Sequence, residues 1–277
     1  ERDAGRPLKT RPVYKKQKEL GCVFGLNYGW EHPLWFAPEG VEAKEDYGFK
    51  RQEWWHYVKS ECDNLRINVG IVDVSNFGKY EIKGEGASAW IDKVIANNVP
   101  KEIGRSCLTP LIGIRGGVAG DFTVTKLNEE HFFIVGSGMA ERYHVRFFEM
   151  VPRPKSVSFE SLTEEMCGFN VAGPKSRELL SRMTQDDLST ESWKFMRSRS
   201  ITIAGIDAIA IRVSFTGDLG WEIYVKTENQ LKLYKALLDT GADLGVRPVG
   251  GRSLLSLRVE KGYGSWGREY SPEYWPQ

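Results

Sequence analysis

The chain has 277 residues, enough for one large domain or two ordinary ones with cores of their own. Its 38 Lys and Arg nearly cancel 37 Asp and Glu, so no strong field of one sign favours nucleic acid or an anionic membrane, and neither is expected as a partner. No stretch approaches the roughly 20 apolar residues that span a bilayer, and no apolar signal segment opens the sequence, so a soluble, intracellular protein is expected.

Residues 1–50 are rich in Pro, Gly, Trp and charge, densest at Gly29-Trp30-Glu31-His32-Pro33-Leu34-Trp35-Phe36, and read as an extended arm or linker packed on the body. Both ends, Glu1 to Pro7 and Ser271 to Gln277, read as cut from a longer chain. From Gln52 to Asn68 the apolar residues Trp54, Trp55, Val58, Cys62 and Leu65 recur every three or four places, which predicts an amphipathic helix with the two tryptophans in its core face. Strands follow at Gly70 to Val74 and Gly78 to Ile82.

The segment from Ile82 through Gly84-Glu85-Gly86 to Ala87-Ser88-Ala89-Trp90 has the form of a strand end, a glycine turn and a helix start. The same form returns at Val171-Ala172-Gly173-Pro174-Lys175-Ser176, with Pro174 where a helix tolerates a missing N–H. Gly84 and Gly173 stand 89 residues apart, which suits a repeated α+β unit, although such junctions also converge on small residues by themselves. Strands are predicted at Ser106 to Ile114, Val118 to Leu127 and His131 to Val135, a meander turning at Arg115-Gly116-Gly117. The second half supplies strands at 156–161, 167–171, 200–203, 207–214 and 221–225, and helices at Asn229 to Leu244 and Gly251 to Lys261. Strands and helices without strict alternation argue for an α+β fold of two units, 51–153 and 154–277.

Three glycine-bearing segments carry the candidate chemistry. Asp121 lies on a hairpin strand amid apolar and hydroxyl residues, in Gly116-Gly117-Val118-Ala119-Gly120-Asp121-Phe122-Thr123-Val124-Thr125. Glu222 opens an apolar strand, on the face opposite Trp221, after Ser214-Phe215-Thr216-Gly217-Asp218-Leu219-Gly220. Arg252 opens a helix after Gly250-Gly251. On spacing alone the commoner reading of Asp121 is a capped or solvated turn residue, and Glu222 with Arg252 reads equally as a structural ion pair. Cys22, Cys62, Cys107 and Cys167 form no CxxC pair, and His32, His56, His131 and His144 lack ligand spacing, so reduced thiols and no metal site are expected. No GxGxxG fingerprint occurs, so a dinucleotide or flavin would have to bind outside the chain.

The order and wording of these segments, with Ser256-Leu257-Arg258-Val259-Glu260-Lys261-Gly262-Tyr263 and Trp266-Gly267-Arg268, resemble the aminomethyltransferases, the T-protein of the glycine cleavage system, over essentially the whole chain. They resemble still more the folate domain of dimethylglycine and sarcosine dehydrogenases, which the Ala4-Gly5-Arg6-Pro7 and Gly29 to Pro33 arm also matches. The resemblance implies a T-protein-like α+β fold continued by a C-terminal barrel domain outside the chain, and FAD in a flavin domain upstream in the same parent chain. It implies tetrahydrofolate as cofactor and a one-carbon unit from an N-methyl amine, an iminium or formaldehyde, taken up as 5,10-methylenetetrahydrofolate. Asp121 then matches the carboxylate beside the folate N10 and the reacting carbon, Glu222 the acid that holds the pterin, and Arg252 an arginine of the same pocket. Leu108 and Phe215 fall where T-proteins often carry tyrosines, and Gly120 replaces the first member of an acidic pair. The compartment implied is cytoplasmic in bacteria and the mitochondrial matrix in eukaryotes. Two other readings stand beside this one: a non-catalytic homologue like the regulatory subunit of pyruvate dehydrogenase phosphatase, and a stand-alone aminomethyltransferase. The presence of both Asp121 and Glu222 weighs against the first, and the dehydrogenase-like arm against the second.

Overall fold

A computed structural model describes residues 3–45 and 47–275; Glu1, Arg2, Asp46, Pro276 and Gln277, which the arm and C-terminal loop include, lie outside the described residues. The first elements are α1 (Tyr14–Glu19), β1 (Cys22–Asn27), β2 (Trp30–Phe36), α2 (Trp54–Ile67), β3 (Val69–Asp73) and β4 (Gly78–Lys83). Then come α3 (Ala87–Asp92), β5 (Ser106–Ile112), β6 (Val118–Asn128), β7 (His131–Gly136), α4 (Glu141–Met150) and β8 (Ser158–Ser161). The chain continues through β9 (Met166–Ala172), α5 (Ser176–Ser181), β10 (Ser198–Ile203), β11 (Ile206–Ile211), β12 (Gly220–Lys226), α6 (Gln230–Thr240), β13 (Val246–Val249) and α7 (Gly251–Glu260). The α+β class read from the sequence is the class observed.

These elements form two compact units that interleave along the chain. The first takes residues up to Ser75, Cys167–Trp193 and Ser200–Tyr263; the second takes Asn76–Met166, Lys194–Arg199 and the residues from Gly264. The units are divisions in space, whereas 51–153 and 154–277 are divisions of sequence, so the two answer different questions.

The first unit is built on a six-stranded sheet in the order β10-β11-β12-β9-β3-β13. Val69, Ile71, Phe169, Val171, Trp221 and Ile223 meet Leu179 of α5 and Leu233 and Leu237 of α6 in its core. Burying this apolar area is the main favourable term for the unit. The second unit carries a five-stranded sheet, β5-β6-β7-β4-β8. Its core joins Tyr80, Ile82, Phe122, Val124 and Ile134 to Trp90 of α3 and Phe148 of α4.

Both elbows read from the sequence are present. Gly84 ends β4 at φ +114°, and a Cβ there would stand 1.9 Å from the Ser156 carbonyl oxygen. Gly173 ends β9 at φ +123°, where a Cβ would come within 2.5 Å of the Leu65 and Asn68 carbonyl oxygens. Each elbow leads into a short helix and three further strands, the last lying beside the first: β7 beside β4, and β12 beside β9.

Several expectations change. The arm is not extended: it holds α1 and the antiparallel hairpin β1–β2, closed by Tyr28 and Gly29 at φ 50° and 87°, the sign that two-residue hairpin turns require. Glu61 of α2 ties this hairpin to α7, accepting from the Phe36 N–H at 2.7 Å, the Gly250 N–H at 2.9 Å and the Ser253 hydroxyl at 2.5 Å. Trp54 and Trp55 are only half-buried, covered by the guanidinium groups of Arg252 at 4.1 Å and Arg51 at 4.4 Å, so they are stacking surfaces and not core. The helix expected from Asn229 to Leu244 stops at Thr240, and a separate turn, Ala242–Leu244, leads to Gly245 at φ 73°. Helix α4 and strand β13 were not anticipated. The buried face of α4 includes a histidine, His144, which weakens its apolar signal. Strand β13 is four residues long and contains Pro248, tolerated because the strand lies at the sheet edge.

Substituting Ala for Gly84 or Gly173 should cost well over about 1 kcal/mol, because main-chain overlap adds to left-handed strain. Gly262 has φ +70° and open space around its α-carbon, so Gly262→Ala should cost only the strain, roughly 1 kcal/mol. Chemical denaturation of the three variants checks the difference.

Candidate functional site

Asp121 and Leu108 belong to the second unit, and Glu222, Arg252 and Phe215 to the first. Asp121 lies on β6, which pairs antiparallel with β5. Leu111 faces Gly120 and Ile112 faces Val118, so Ala119 is an extra residue on β6. Such a bulge bends a strand and redirects the side chains beside it. Phe122 and Val124 enter the core, while Asp121 and Thr123 take the opposite face, where both are half-buried. Leu108 is paired with Thr123 and Pro110 with Asp121, so strand alternation sets Leu108 and Asp121 on one sheet face. Leu108 is 60% exposed there, an apolar side chain available for contact.

One oxygen of Asp121 accepts the main-chain N–H of Trp266 at 3.3 Å. The Trp266 indole N–H donates to the Val118 carbonyl at 3.0 Å, and the Val118 N–H donates to the Tyr274 carbonyl at 2.9 Å. The segment after Gly264 is thus bonded to the strand that carries the carboxylate. Tyr143 stacks on Trp266 at 5.7 Å between ring centres. Burial pushes the Asp121 carboxyl above its ordinary range, with the Trp266 N–H opposing the shift.

Glu222 lies on β12, inside the six-stranded sheet and buried on both faces apart from its last residue. Trp221, Ile223 and Val225 point into the main core, so Glu222 and Tyr224 share the opposite face. The Tyr224 hydroxyl donates to Glu222 Oε2 at 2.6 Å. Gly168 of β9 makes room for the Tyr224 ring, since a Cβ there would lie 2.7 Å from it. Glu222 is 6% exposed, and burial pushes its carboxyl up to about 7 against the lowering effect of the Tyr224 hydrogen bond.

Arg252 does not orient Glu222. Its Nη2 and Nε engage the Glu45 carboxylate at 2.5 and 3.2 Å, and its guanidinium lies over Trp54. Glu45 also accepts the Trp35 indole N–H at 2.7 Å, so a nearly buried acid from the arm is the partner. Phe215, in the loop between β11 and β12, stacks on Tyr263 at 6.2 Å and 20°. In the same loop the Ser214 hydroxyl donates to Asn170 Oδ1 at 3.0 Å and lies 2.7 Å from the Thr216 hydroxyl.

Tyr224, Tyr263, Trp266 and His144 were given no site role from the sequence. Tyr224 had a signal, since it stands two residues from Glu222 on one strand. The other three come close to their partners only through the fold. Among the described residues no group of three or more His, Cys, Asp or Glu side chains could hold a metal ion, and the four cysteines are free thiols. No helix among them is long and apolar enough to cross a membrane.

Residues 13–277 match the family described as the GCVT N-terminal domain. Rat mitochondrial dimethylglycine dehydrogenase is 34% identical over 271 residues, which cover 97% of this chain and 32% of that protein. The formaldehyde-forming 4-methylaminobutanoate oxidase of Paenarthrobacter nicotinovorans is 31% identical over 270 residues, 98% of this chain and 33% of that one. An aminomethyltransferase of Thermoanaerobacter sp. (strain X514) is 30% identical over 270 residues, 97% of this chain and 68% of that one. The crystal structure of aminomethyltransferase T from Bartonella henselae superposes with a TM-score of 0.80 at 23% identity, covering 97% of this chain and 67% of that one. The fold is therefore that of aminomethyltransferase T, and the chain spans about a third of the length of the dimethylglycine dehydrogenases it matches.

A carboxyl whose folded-state value is raised contributes stability that is present below its ordinary value and lost as pH rises through the raised one. For Glu222 the ordinary value is 4.5 and the raised one about 7. Between these values the protein should therefore lose stability relative to Glu222→Gln, which has no proton to lose. Denaturation midpoints of both proteins across that window check the sign.

Proposed function

The chain belongs to the GCVT N-terminal domain family, and from that premise we propose that it is the tetrahydrofolate-binding, one-carbon-accepting module of a dimethylglycine or sarcosine dehydrogenase-like enzyme. The observation that carries the reading is the Glu222 carboxyl, buried inside an apolar sheet with Tyr224 holding one oxygen. An acid in such a place is costly unless it meets donors. The ring N–H and amino group of a pterin are two adjacent donors, which suit a carboxylate.

Within this reading Glu222 binds and orients the pterin, and Tyr224 keeps the carboxylate from rotating. The Phe215–Tyr263 pair offers flat aromatic surface in place of the tyrosine usual at 215 in T-proteins. Arg252 gives Nε and Nη2 to Glu45 and has Nη1 for a carbonyl acceptor. Tetrahydrofolate, when bound, supplies the N5 and N10 amines that take the carbon as a methylene group. Asp121 stabilises cationic character at that carbon and can take the N10 proton, with Leu108 as apolar wall on the same sheet face. Its raised carboxyl suits a group that must accept a proton and later release it.

The carbon would arrive as an iminium or formaldehyde from a flavin-dependent oxidation of an N-methyl amine, in a part of the parent protein beyond this chain. The two elbows and their matching strand orders support reading the sheets as copies of one α+β unit. Rat dimethylglycine dehydrogenase and human sarcosine dehydrogenase, to which this chain is also similar, are mitochondrial proteins, and a eukaryotic source would place this chain in the matrix, a bacterial one in the cytoplasm.

Calorimetric titration with tetrahydrofolate, on this chain and on a version extended at both ends, tests the proposal. Glu222→Ala should weaken binding by roughly tenfold or more, the value of a charge-assisted hydrogen-bond pair. Asp121→Ala should bind nearly normally and lose most methylenetetrahydrofolate formation. Absence of binding by the extended protein would overturn the enzyme reading in favour of a non-catalytic homologue.

A further inference from the structure

His144 of α4 is fully buried, yet among the described residues its Nε2 has no hydrogen-bond partner, while Nδ1 lies 3.3 Å from the Tyr80 hydroxyl. A buried ring nitrogen left without a partner carries a penalty, so the imidazole is held there by its surroundings. Nε2 points at the main chain of β6: a Cβ at Gly120 would stand 2.7 Å from it. Gly120 immediately precedes Asp121. The ring also meets the Trp266 indole at 5.6 Å between centres, and Phe122 lies at 4.6 Å. Trp266 in turn bonds Asp121 through its main-chain N–H and Val118 through its indole N–H.

We propose that His144 and Trp266 are positioning residues for Asp121: the imidazole seats β6 at Gly120 and supports the indole, and the Trp266 N–H fixes the carboxylate in one orientation. This rests on the assignment of Asp121 to the carbon-transfer point. Neither residue needs to touch the reacting atoms. The titratable groups facing the imidazole are the Tyr80 hydroxyl from β4 and the neighbouring Tyr143 phenol on α4. Burial holds the imidazole down at about 4, so at neutral pH it is uncharged and adds no cation beside Asp121. The carboxylate is then free to respond to a cationic carbon instead of being neutralised by its own support.

The test follows the Asp121 carboxyl carbon by NMR titration in aspartate-labelled protein, with the resonance assigned by Asp121→Asn, alongside methylenetetrahydrofolate formation. In His144→Ala the indole loses its support, the Trp266 hydrogen bond loosens, and the Asp121 titration should move up by roughly half to one pH unit, as loss of one hydrogen bond implies. Turnover should fall roughly tenfold, with tetrahydrofolate affinity within about twofold, because orientation is lost and not the binding face. Gly120→Ala presses on the same contact from the other side and should give the same signature, while the double variant should be less impaired than the two singles combined. If His144→Ala does not fold, Trp266→Phe, which removes the indole bond to Val118, serves in its place. An unmoved Asp121 titration in folded variants overturns the proposal, as does full turnover in them. Full turnover by Asp121→Asn would instead overturn the transfer-point assignment on which the proposal rests.

Discussion

A carboxyl group inside a sheet buried on both faces is the constraint around which the first unit is arranged. Glu222 cannot reach water by extending, as a lysine or arginine would, because its side chain is short and the strand around it is buried. Its environment must therefore supply hydrogen bonding, and the Tyr224 hydroxyl does so from the same strand face. That tyrosine needs space, which Gly168 on the adjacent strand provides. The result is an acid poised near neutrality, with an energetic reason to accept donors from a ligand.

The second unit handles its acid differently. Asp121 is only half-buried, and its placement depends on main-chain geometry: a bulged residue at Ala119, a glycine at 120 that admits His144, and an N–H from a segment more than a hundred residues away in sequence. One acid is set deep in an apolar sheet, and in the function proposed it binds; the other is set at a bend, and in that proposal it takes part in the chemistry. Carboxyls given different environments take different roles.

The sequence made much of this legible. The amphipathic spacing of α2, the meander of β5 to β7 and both glycine elbows could be read directly, because period and turn chemistry are local properties. The candidate site was legible only as separate residues, the acids Asp121 and Glu222 with Arg252, Phe215 and Leu108, and not as the contacts around them. Tyr224 could have been inferred from strand alternation, but Trp266, Tyr263 and His144 meet their partners through tertiary contacts that spacing does not encode. Arg252 shows the limit well. An ion pair with Glu222 was one open reading of it, yet the arm delivers Glu45 to it, and the arm's hairpin itself was read as extended chain. Trp54 and Trp55 were read as core because their spacing is apolar, while the arginines that cover them lie elsewhere in the chain or in its preceding loop.

If Glu222 is the acceptor for a pterin, its proton must leave before two donors can bind it well. The pH dependence of tetrahydrofolate affinity therefore tests the account most directly. Affinity should be level above about 7 and weaken toward tenfold per pH unit below it, with the dependence abolished in Glu222→Gln. An affinity that is flat across that range in the unaltered protein, or one whose pH dependence survives in Glu222→Gln, would contradict it.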